Sequence, residues 1–355
     1  MADRRQFGNL DALRGVAAVC VMFYHVLGAL LPQGRLAVDF FFMLSGFVIA
    51  HSYADRLHGG MAFKDFALRR IIRLQPMIAL GAALGLLCAL FAIRRGVTGL
   101  SALEALGLSL QSALLIPQFR PIHGLEGVFP LNEPFWSLFF EIAANAAYAL
   151  GLCRLSRGRS TLLVGASLLA VIAIGDVGGN TVGTFAAGLP RVMFGFFAGV
   201  LIHEFRCAGW FPQVRAPLAV LVATLVVVFM EPVSLAGPAL VPAFAVLAAI
   251  IVFASADGGQ TSHPLATALG QISYPLYTLH APIYNFFAIG VAASALGPKA
   301  QGAIVLVAAP AVSLAAAYAA YFCVDVPSRR ALTAWRAPRN GSVQPARGST
   351  LAPGS

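Results

Sequence analysis

The stretch LDALRGVAAVCVMFYHVLGALL, residues 10–31, decides the fold class of this chain. As a helix it would be about 33 Å long, enough to cross the hydrocarbon core of a bilayer. It also carries Asp11, Arg14 and His25. Ionisable groups are costly inside a membrane and usually mark functional positions. The stretch therefore predicts a membrane helix that carries site residues.

The composition extends this prediction to the whole chain. Of 355 residues, 59% are hydrophobic and only 11% are charged, whereas soluble domains carry about 25% charged residues. The net charge of +10 comes from 24 basic residues scattered in short loops and at the ends of apolar runs. Such a distribution is typical of membrane proteins with positive inner loops. It disfavours nucleic-acid binding, because no dense basic stripe is present.

Ten apolar segments are long enough, or nearly so, to cross a membrane. They are residues 10–31, 36–54, 72–93, 134–152, 161–176, 183–203, 216–231, 237–256, 271–296 and 302–324. We therefore expect an all-α membrane protein, a bundle of about ten transmembrane helices with both termini cytoplasmic. The membrane domain is predicted over residues 1–330, and residues 331–355, rich in Pro, Gly, Ser and Arg, are predicted to be a disordered cytoplasmic tail.

The apolar run 100–116 is the ambiguous segment, because it contains Glu104 and Gln111. With ten spans and an inner N-terminus, 17 basic residues fall on or at the edge of inner segments and five on outer loops. An eleventh span here would move the ten basic residues of the later inner segments outside. The positive-inside rule disfavours that arrangement, so the run is predicted to be re-entrant or interfacial.

Arg14 and His25 are eleven residues apart on the first segment. Just over three helical turns separate them, so both lie on one face, about 16 Å apart along the axis. Asp11 precedes Arg14 by three residues and can pair with it. Glu141 lies among apolar residues and needs an arginine or a hydroxyl partner, and Arg191 is a candidate charge partner within its own span.

Six pieces of the chain, taken in order, resemble the bacterial integral-membrane acyltransferase 3 family of sugar O-acetylases. They are LDALRG (10–15) leading to His25, DFFFMLSGF (39–47), RIIR (70–73), WSL (136–138) with Glu141, GQISYPLYTLH (270–280) and DVPSR (325–329). The last piece is similar to the family's Glu-x-Pro-x-x-Arg ending, with aspartate in place of glutamate. The resemblance covers most of the chain, from about residue 7 to residue 330.

The resemblance implies an enzyme of the bacterial inner membrane that moves an acyl group, usually acetyl, from cytoplasmic acetyl-CoA to a hydroxyl of an extracytoplasmic or lipid-linked glycan. Arg70 and Arg73 are then expected to bind the phosphates of coenzyme A, since guanidinium groups grip phosphate in bidentate fashion. Arg14 would meet the pantetheine arm or stabilise charge near the thioester.

In this scheme His25 acts as general base on the acceptor hydroxyl or briefly carries the acyl group itself. Asp11 would help Arg14 to fix geometry and charge, and Glu141 would orient His25 or bind the acceptor. Contacts with the acceptor are assigned to Asp39, Ser45, Ser137 and Tyr274.

His280 fits the pattern but lies in an apolar helix, so a structural role is predicted for it. The seven histidines are dispersed, and the sequence predicts no metal site. The rival interpretation is a transporter or flippase for an anionic or lipid-linked substrate, which would use the same arginine, histidine and glutamate residues for binding and proton relay.

Overall fold

A computed structural model describes residues 7–336 apart from 176–177, 212, 215, 257–262 and 293. Within these residues the chain is helical and forms no β-strand beyond two isolated bridges. The α-helices of the described residues are α1 Gly8–Val26, α2 Ala37–His58, α3 Phe63–Arg94, α4 Ala102–Ala113, α5 Phe135–Leu150, α6 Arg157–Ile174, α7 Gly188–Cys207, α8 Leu218–Met230, α9 Leu240–Ala254, α10 Pro264–Ala292, α11 Pro298–Ala320 and α12 Val326–Arg336.

Each of the ten apolar segments predicted from the sequence lies mainly within one of these helices. Within the described ranges, six helical stretches are long and apolar enough to cross a membrane: Gly34–His58, Phe63–Arg94, Arg157–Ile174, Phe185–Cys207, Gly237–Ala254 and Pro298–Arg336. Two shorter apolar helices are Phe135–Leu150 and Leu218–Met230. Helices α1 and α10 are not among the six. The chain is therefore an α-helical, multi-pass membrane protein.

Helix α4 occupies the ambiguous run and does not have the length of a span. Its 12 residues extend about 18 Å, well short of a hydrocarbon core of about 30 Å. Ser101 and Glu104 form a capping box at its start. Hydrogen bonds from the backbone and side chain of Ser101 and from His123 hold the pKa of Glu104 below its ordinary value. The helix packs Ala105 and Leu108 in one buried cluster with Ala89 of α3.

The backbones of helices α1 and α10 pack directly against each other, and this close packing positions the candidate site. A Cβ atom on Gly15 would lie 2.5 Å from the carbonyl carbon of Leu269, and one on Gly270 would lie 2.7 Å from the carbonyl oxygen of Asp11. Only glycine permits such an approach, a common device in membrane helix pairs. Arg14 consequently lies directly against the backbone of α10.

The chain leaves α11 through a π-helical turn, Tyr321–Asp325, and continues into α12. π-Helical turns often mark functional positions, and this one buries the side chain of Asp325. Residues 331–336, expected to belong to the tail, complete α12. The rest of the predicted tail lies outside the described residues.

Candidate functional site

A cavity of about 180 Å³ lies between α1, α2, α3, α5 and α10. Its polar lining comprises Arg14, Ser45, Arg70, Arg73, Ser137, Glu141, Ser273, Tyr274 and Tyr277. Arg14 is about 9 Å along α1 from its start, Arg70 about 10 Å along α3 from its start, and Glu141 about 14 Å from the end of α5. The lining also includes Val38 and Ser137, in the first turns of α2 and α5.

Arg14 is held on three sides. Its Nε donates to Ser273 Oγ at 2.9 Å, and its Nη2 donates to the carbonyl oxygen of Gly270 at 2.8 Å. Asp11 Oδ1 is 2.9 Å from the same Nη2. The pairing predicted from the three-residue spacing of Asp11 and Arg14 is present. The guanidinium is fixed at the cavity wall by groups from two helices.

Glu141 has both kinds of partner that its apolar surroundings required. Ser45 Oγ donates to Glu141 Oε1 at 2.8 Å, and Arg70 Nη2 lies 3.3 Å from the same oxygen. The carboxylate therefore belongs to the cavity, with α2 and α3 supplying its partners. Glu141 does not contact His25, so it does not orient that imidazole directly. Its charge partner is Arg70, whereas Arg191 pairs with Asp39.

Arg73 lies between an aromatic ring and a buried carboxylate. Its guanidinium carbon is 5.2 Å from the ring centre of Tyr274, whose hydroxyl donates to the carbonyl oxygen of Leu74 at 2.7 Å. Nη1 of Arg73 is 3.6 Å from Asp325 Oδ1, while Arg329 is 2.8 Å from the other oxygen of that carboxylate.

Two arginine nitrogens at this cavity are buried without a hydrogen-bond partner, Nε of Arg70 and Nη1 of Arg73. Buried donors are normally satisfied, so an anionic ligand that reached these atoms would supply the hydrogen-bond acceptor that they lack. Around them, the guanidiniums of Arg14, Arg70, Arg73 and Arg329 face the carboxylates of Asp11, Glu141 and Asp325. The cluster therefore carries a positive excess among the described residues.

His25 lies beyond the far end of this cavity and does not line it. Its ring is 5.3 Å from that of His280 and 5.4 Å from that of Tyr24. Tyr277 lines the cavity, and its hydroxyl is 2.6 Å from Ser137 Oγ while its ring is 6.0 Å from His280. Arg14 and His25 both contact α10, as their shared helix face predicts, but Tyr277 and His280 separate His25 from the cavity.

Asp39 lies away from the cavity and is fully buried. Both of its carboxylate oxygens accept from Arg191, from Nε and Nη2, each at 2.8 Å. The guanidinium of Arg191 also lies 5.1 Å from the ring centre of Trp136. These contacts occupy the carboxylate that the sequence assigned to acceptor binding.

Ser273 and Tyr277 line the cavity, although the sequence analysis assigned them no role. Both lie within the quoted stretch 270–280, and with Gly270 and His280 they form a stripe at helical spacing along α10. That periodicity was the available signal. Among the described residues no group of three or more His, Cys, Asp or Glu side chains is placed to hold a metal ion.

The chain matches one family model and several known proteins. The model of the family described as "Acyltransferase domain" (Acyl_transf_3) matches residues 7–322. "Protein 2 in picA locus" of Rhizobium radiobacter is 34% identical over 180 residues, covering 47% of this chain and 93% of that protein.

Two further relatives match a shorter part of the chain. A Staphylococcus aureus (strain COL) protein, whose name proposes an O-acetyltransferase, is 36% identical over 78 residues, 21% of this chain and 13% of its own length. The peptidoglycan O-acetyltransferase of Listeria monocytogenes is 31% identical over 78 residues, 21% of this chain and 12% of its own length. No solved structure matches.

Proposed function

Because this chain belongs to the acyltransferase family whose model covers residues 7–322, we propose that it moves an acetyl group from cytoplasmic acetyl-CoA to a hydroxyl of an extracytoplasmic or lipid-linked glycan. The family and the O-acetyltransferase relatives support an acyltransferase that carries out O-acetylation in a membrane. The donor, the acceptor, the bacterial inner membrane as location and the residue roles below are our proposals.

The cavity lined by Arg14, Arg70 and Arg73 is the observation that carries the proposal. Coenzyme A is polyanionic, and arginine binds phosphate through paired, charge-assisted hydrogen bonds. The unpartnered nitrogens of Arg70 and Arg73 are donors of this kind. We assign these two residues to the phosphates and Arg14, held against α10 by Ser273 and Gly270, to the acyl arm.

His25 acts on the acceptor. As general base it takes the proton of the acceptor hydroxyl while that oxygen attacks the thioester carbonyl carbon. The carbon–sulfur bond then breaks, and the thiolate of coenzyme A recovers the proton from His25. As acyl carrier, His25 would itself attack the thioester first. In either route the acyl group passes Tyr277, which lines the cavity and whose ring is 6.0 Å from that of His280. Ser45, Ser137 and Tyr274 supply hydroxyl contacts along the cavity.

Purified protein in vesicles, supplied with radiolabelled acetyl-CoA and a glycan acceptor, tests the activity. Label appearing on the acceptor supports the transferase. Transport of a substrate across the vesicle without acylation would instead favour the transporter, which lacks the support that the family match gives to the enzyme.

Replacing Arg73 by alanine is expected to raise the Kd for acetyl-CoA by about 10- to 100-fold, since hydrogen bonds to a charged group contribute about 1.5–3 kcal/mol. Asp325 keeps Arg329 as a partner in this variant, so the fold is expected to survive. Isothermal titration calorimetry with acetyl-CoA measures the change. Arg69, exposed on the same helix and outside the cavity, is the matched control. Equal affinities in Arg73→Ala and Arg69→Ala would contradict the phosphate contact.

The proposed topology has ten spans with both termini in the cytoplasm, as the distribution of basic residues favours. A reporter active only in the cytoplasm is expected to be active when fused after Ser355 and silent when inserted after Gly124, which is exposed on the long loop between α4 and α5. A periplasm-specific reporter should give the reverse. The same sidedness at both positions would refute the topology.

A further inference from the structure

We infer that His280 is a positioning residue for His25: its Nε2 accepts a hydrogen bond from a ring N–H of His25 and thereby orients the catalytic imidazole. The inference rests on the proposed role of His25. It gives a chemical task to a residue whose place in an apolar helix suggested a structural one.

The tautomer of His280 follows from its surroundings. The ring is 1% exposed, and Nδ1 lies 3.0 Å from the carbonyl oxygen of Leu276. A carbonyl only accepts, so Nδ1 carries the proton and Nε2 is left as an acceptor. That Nε2 is buried without a hydrogen-bond partner, although leaving a buried acceptor unsatisfied costs about 1–3 kcal/mol. The atom is therefore suited to a donor that arrives during the reaction cycle.

His25 is placed to be that donor. Two imidazoles joined edge to edge by a hydrogen bond of about 3 Å have ring centres about 5 Å apart, and the ring centres of His25 and His280 are 5.3 Å apart. The planes are tilted by 43° and no bond is formed, so the proposed bond requires the half-buried His25 ring to rotate toward Nε2 of His280. Glu133 also acts electrostatically on His25, but it is exposed and its Oε1 accepts from Asn180 at 2.7 Å.

The resulting chain runs from the carbonyl of Leu276 through His280 to His25. A general base works best when a third group fixes its tautomer and orientation. With one ring N–H of His25 held by His280, the other nitrogen faces outward with its lone pair free. It takes the proton of the acceptor hydroxyl and returns it to the departing thiolate, and His280 itself neither gains nor loses a proton.

Two amide substitutions separate this role from a structural one. The side-chain amide of asparagine reaches the position of Nδ1 and can keep the bond to Leu276, whereas that of glutamine extends to the position of Nε2. In the positioning role, His280→Asn is expected to lower kcat about 10²-fold, as a misplaced catalytic group does, with the KM for acetyl-CoA unchanged. His280→Gln should recover much of that loss.

A role confined to packing or to the Leu276 bond predicts the opposite order, with the asparagine variant at least as active as the glutamine variant. Equal or reversed kcat values in variants of matched thermal stability would overturn the inference. A third variant, His280→Leu, retains the apolar packing without an acceptor and is expected to behave like His280→Asn; wild-type kcat in it would also overturn the inference.

The two proposals fail in different ways. If the His25→Ala enzyme transfers acetyl groups at the wild-type rate, both the general-base role of His25 and the positioning role of His280 are refuted. If the His25→Ala enzyme is inactive and the His280→Asn enzyme is fully active, only the positioning role of His280 is refuted. If His280 acts through His25, the double variant His25→Ala/His280→Asn should be no slower than His25→Ala alone.

Discussion

A His25→Ala enzyme is expected to bind acetyl-CoA normally and to transfer acetyl groups about 10²- to 10⁴-fold more slowly than the wild type, the range associated with loss of a general base. Donor affinity should survive because the arginine-lined cavity does not include His25. The residue is half-buried, and among the described residues it has no hydrogen-bond partner that an alanine would lose. Transfer of radiolabelled acetyl to a glycan acceptor measures the rate, and calorimetry with acetyl-CoA measures the affinity.

His123→Ala is the control for histidine removal. His123 lies on the loop between α4 and α5, is bonded to Glu104 and does not line the cavity, so its loss should leave the rate unchanged. Wild-type transfer by His25→Ala would refute the assignment. Mass spectrometry of the wild-type enzyme, quenched after incubation with acetyl-CoA and no acceptor, then separates the two routes: an acetyl group on His25 identifies the carrier, and an unmodified His25 favours the base.

The helices were predictable because hydrophobic length and charge placement are local properties of the chain. The apolar runs located the spans, and the polar groups and basic balance of the run 100–116 indicated that it does not cross, which the short helix α4 supports. The residues after 330 were harder to interpret. Composition predicted a tail there, but α12 continues to Arg336, whose guanidinium pairs with Asp65 at the start of α3. That contact joins positions far apart in sequence, which no local pattern reveals.

The sequence predicted which charged residues belong to the site better than it predicted which of them form ion pairs. Arg14 and Glu141 were singled out as costly charges among apolar residues and Arg70 and Arg73 through the family resemblance, and one cavity brings all four together. Which carboxylate neutralises which arginine depends on how neighbouring helices cross. Glu141 therefore pairs with Arg70 and Asp39 with Arg191, and neither pair could be chosen from sequence spacing. The position of Tyr277 and His280 between the cavity and His25 depends on side-chain packing, so it could not be predicted from the sequence either.

The Asp39–Arg191 pair carries the largest expected effect on stability. The two side chains are 0% and 2% exposed and are joined by two hydrogen bonds of 2.8 Å. Asp39→Ala would leave the buried guanidinium of Arg191 without the carboxylate that neutralises it, although the carbonyl oxygens of Gly178 and Arg35 would still accept from it. Breaking a buried pair on one side costs about 3–5 kcal/mol. We expect Asp39→Ala to lower the unfolding free energy in detergent by this amount and to reduce accumulation in the membrane.

Two comparisons separate this structural role from the acceptor contact that the sequence suggested for Asp39. Asp65→Ala removes a partly exposed pair with Arg336 and should cost at most about 1 kcal/mol, as exposed pairs do. The double variant Asp39→Leu/Arg191→Met removes both buried charges and should recover most of the stability lost in Asp39→Ala, because paired apolar replacements are often neutral. Since the pair lies outside the cavity, the recovered enzyme is expected to show the wild-type KM for its acceptor. A stable double variant with a strongly raised KM for the acceptor would instead indicate that Asp39 contacts the acceptor.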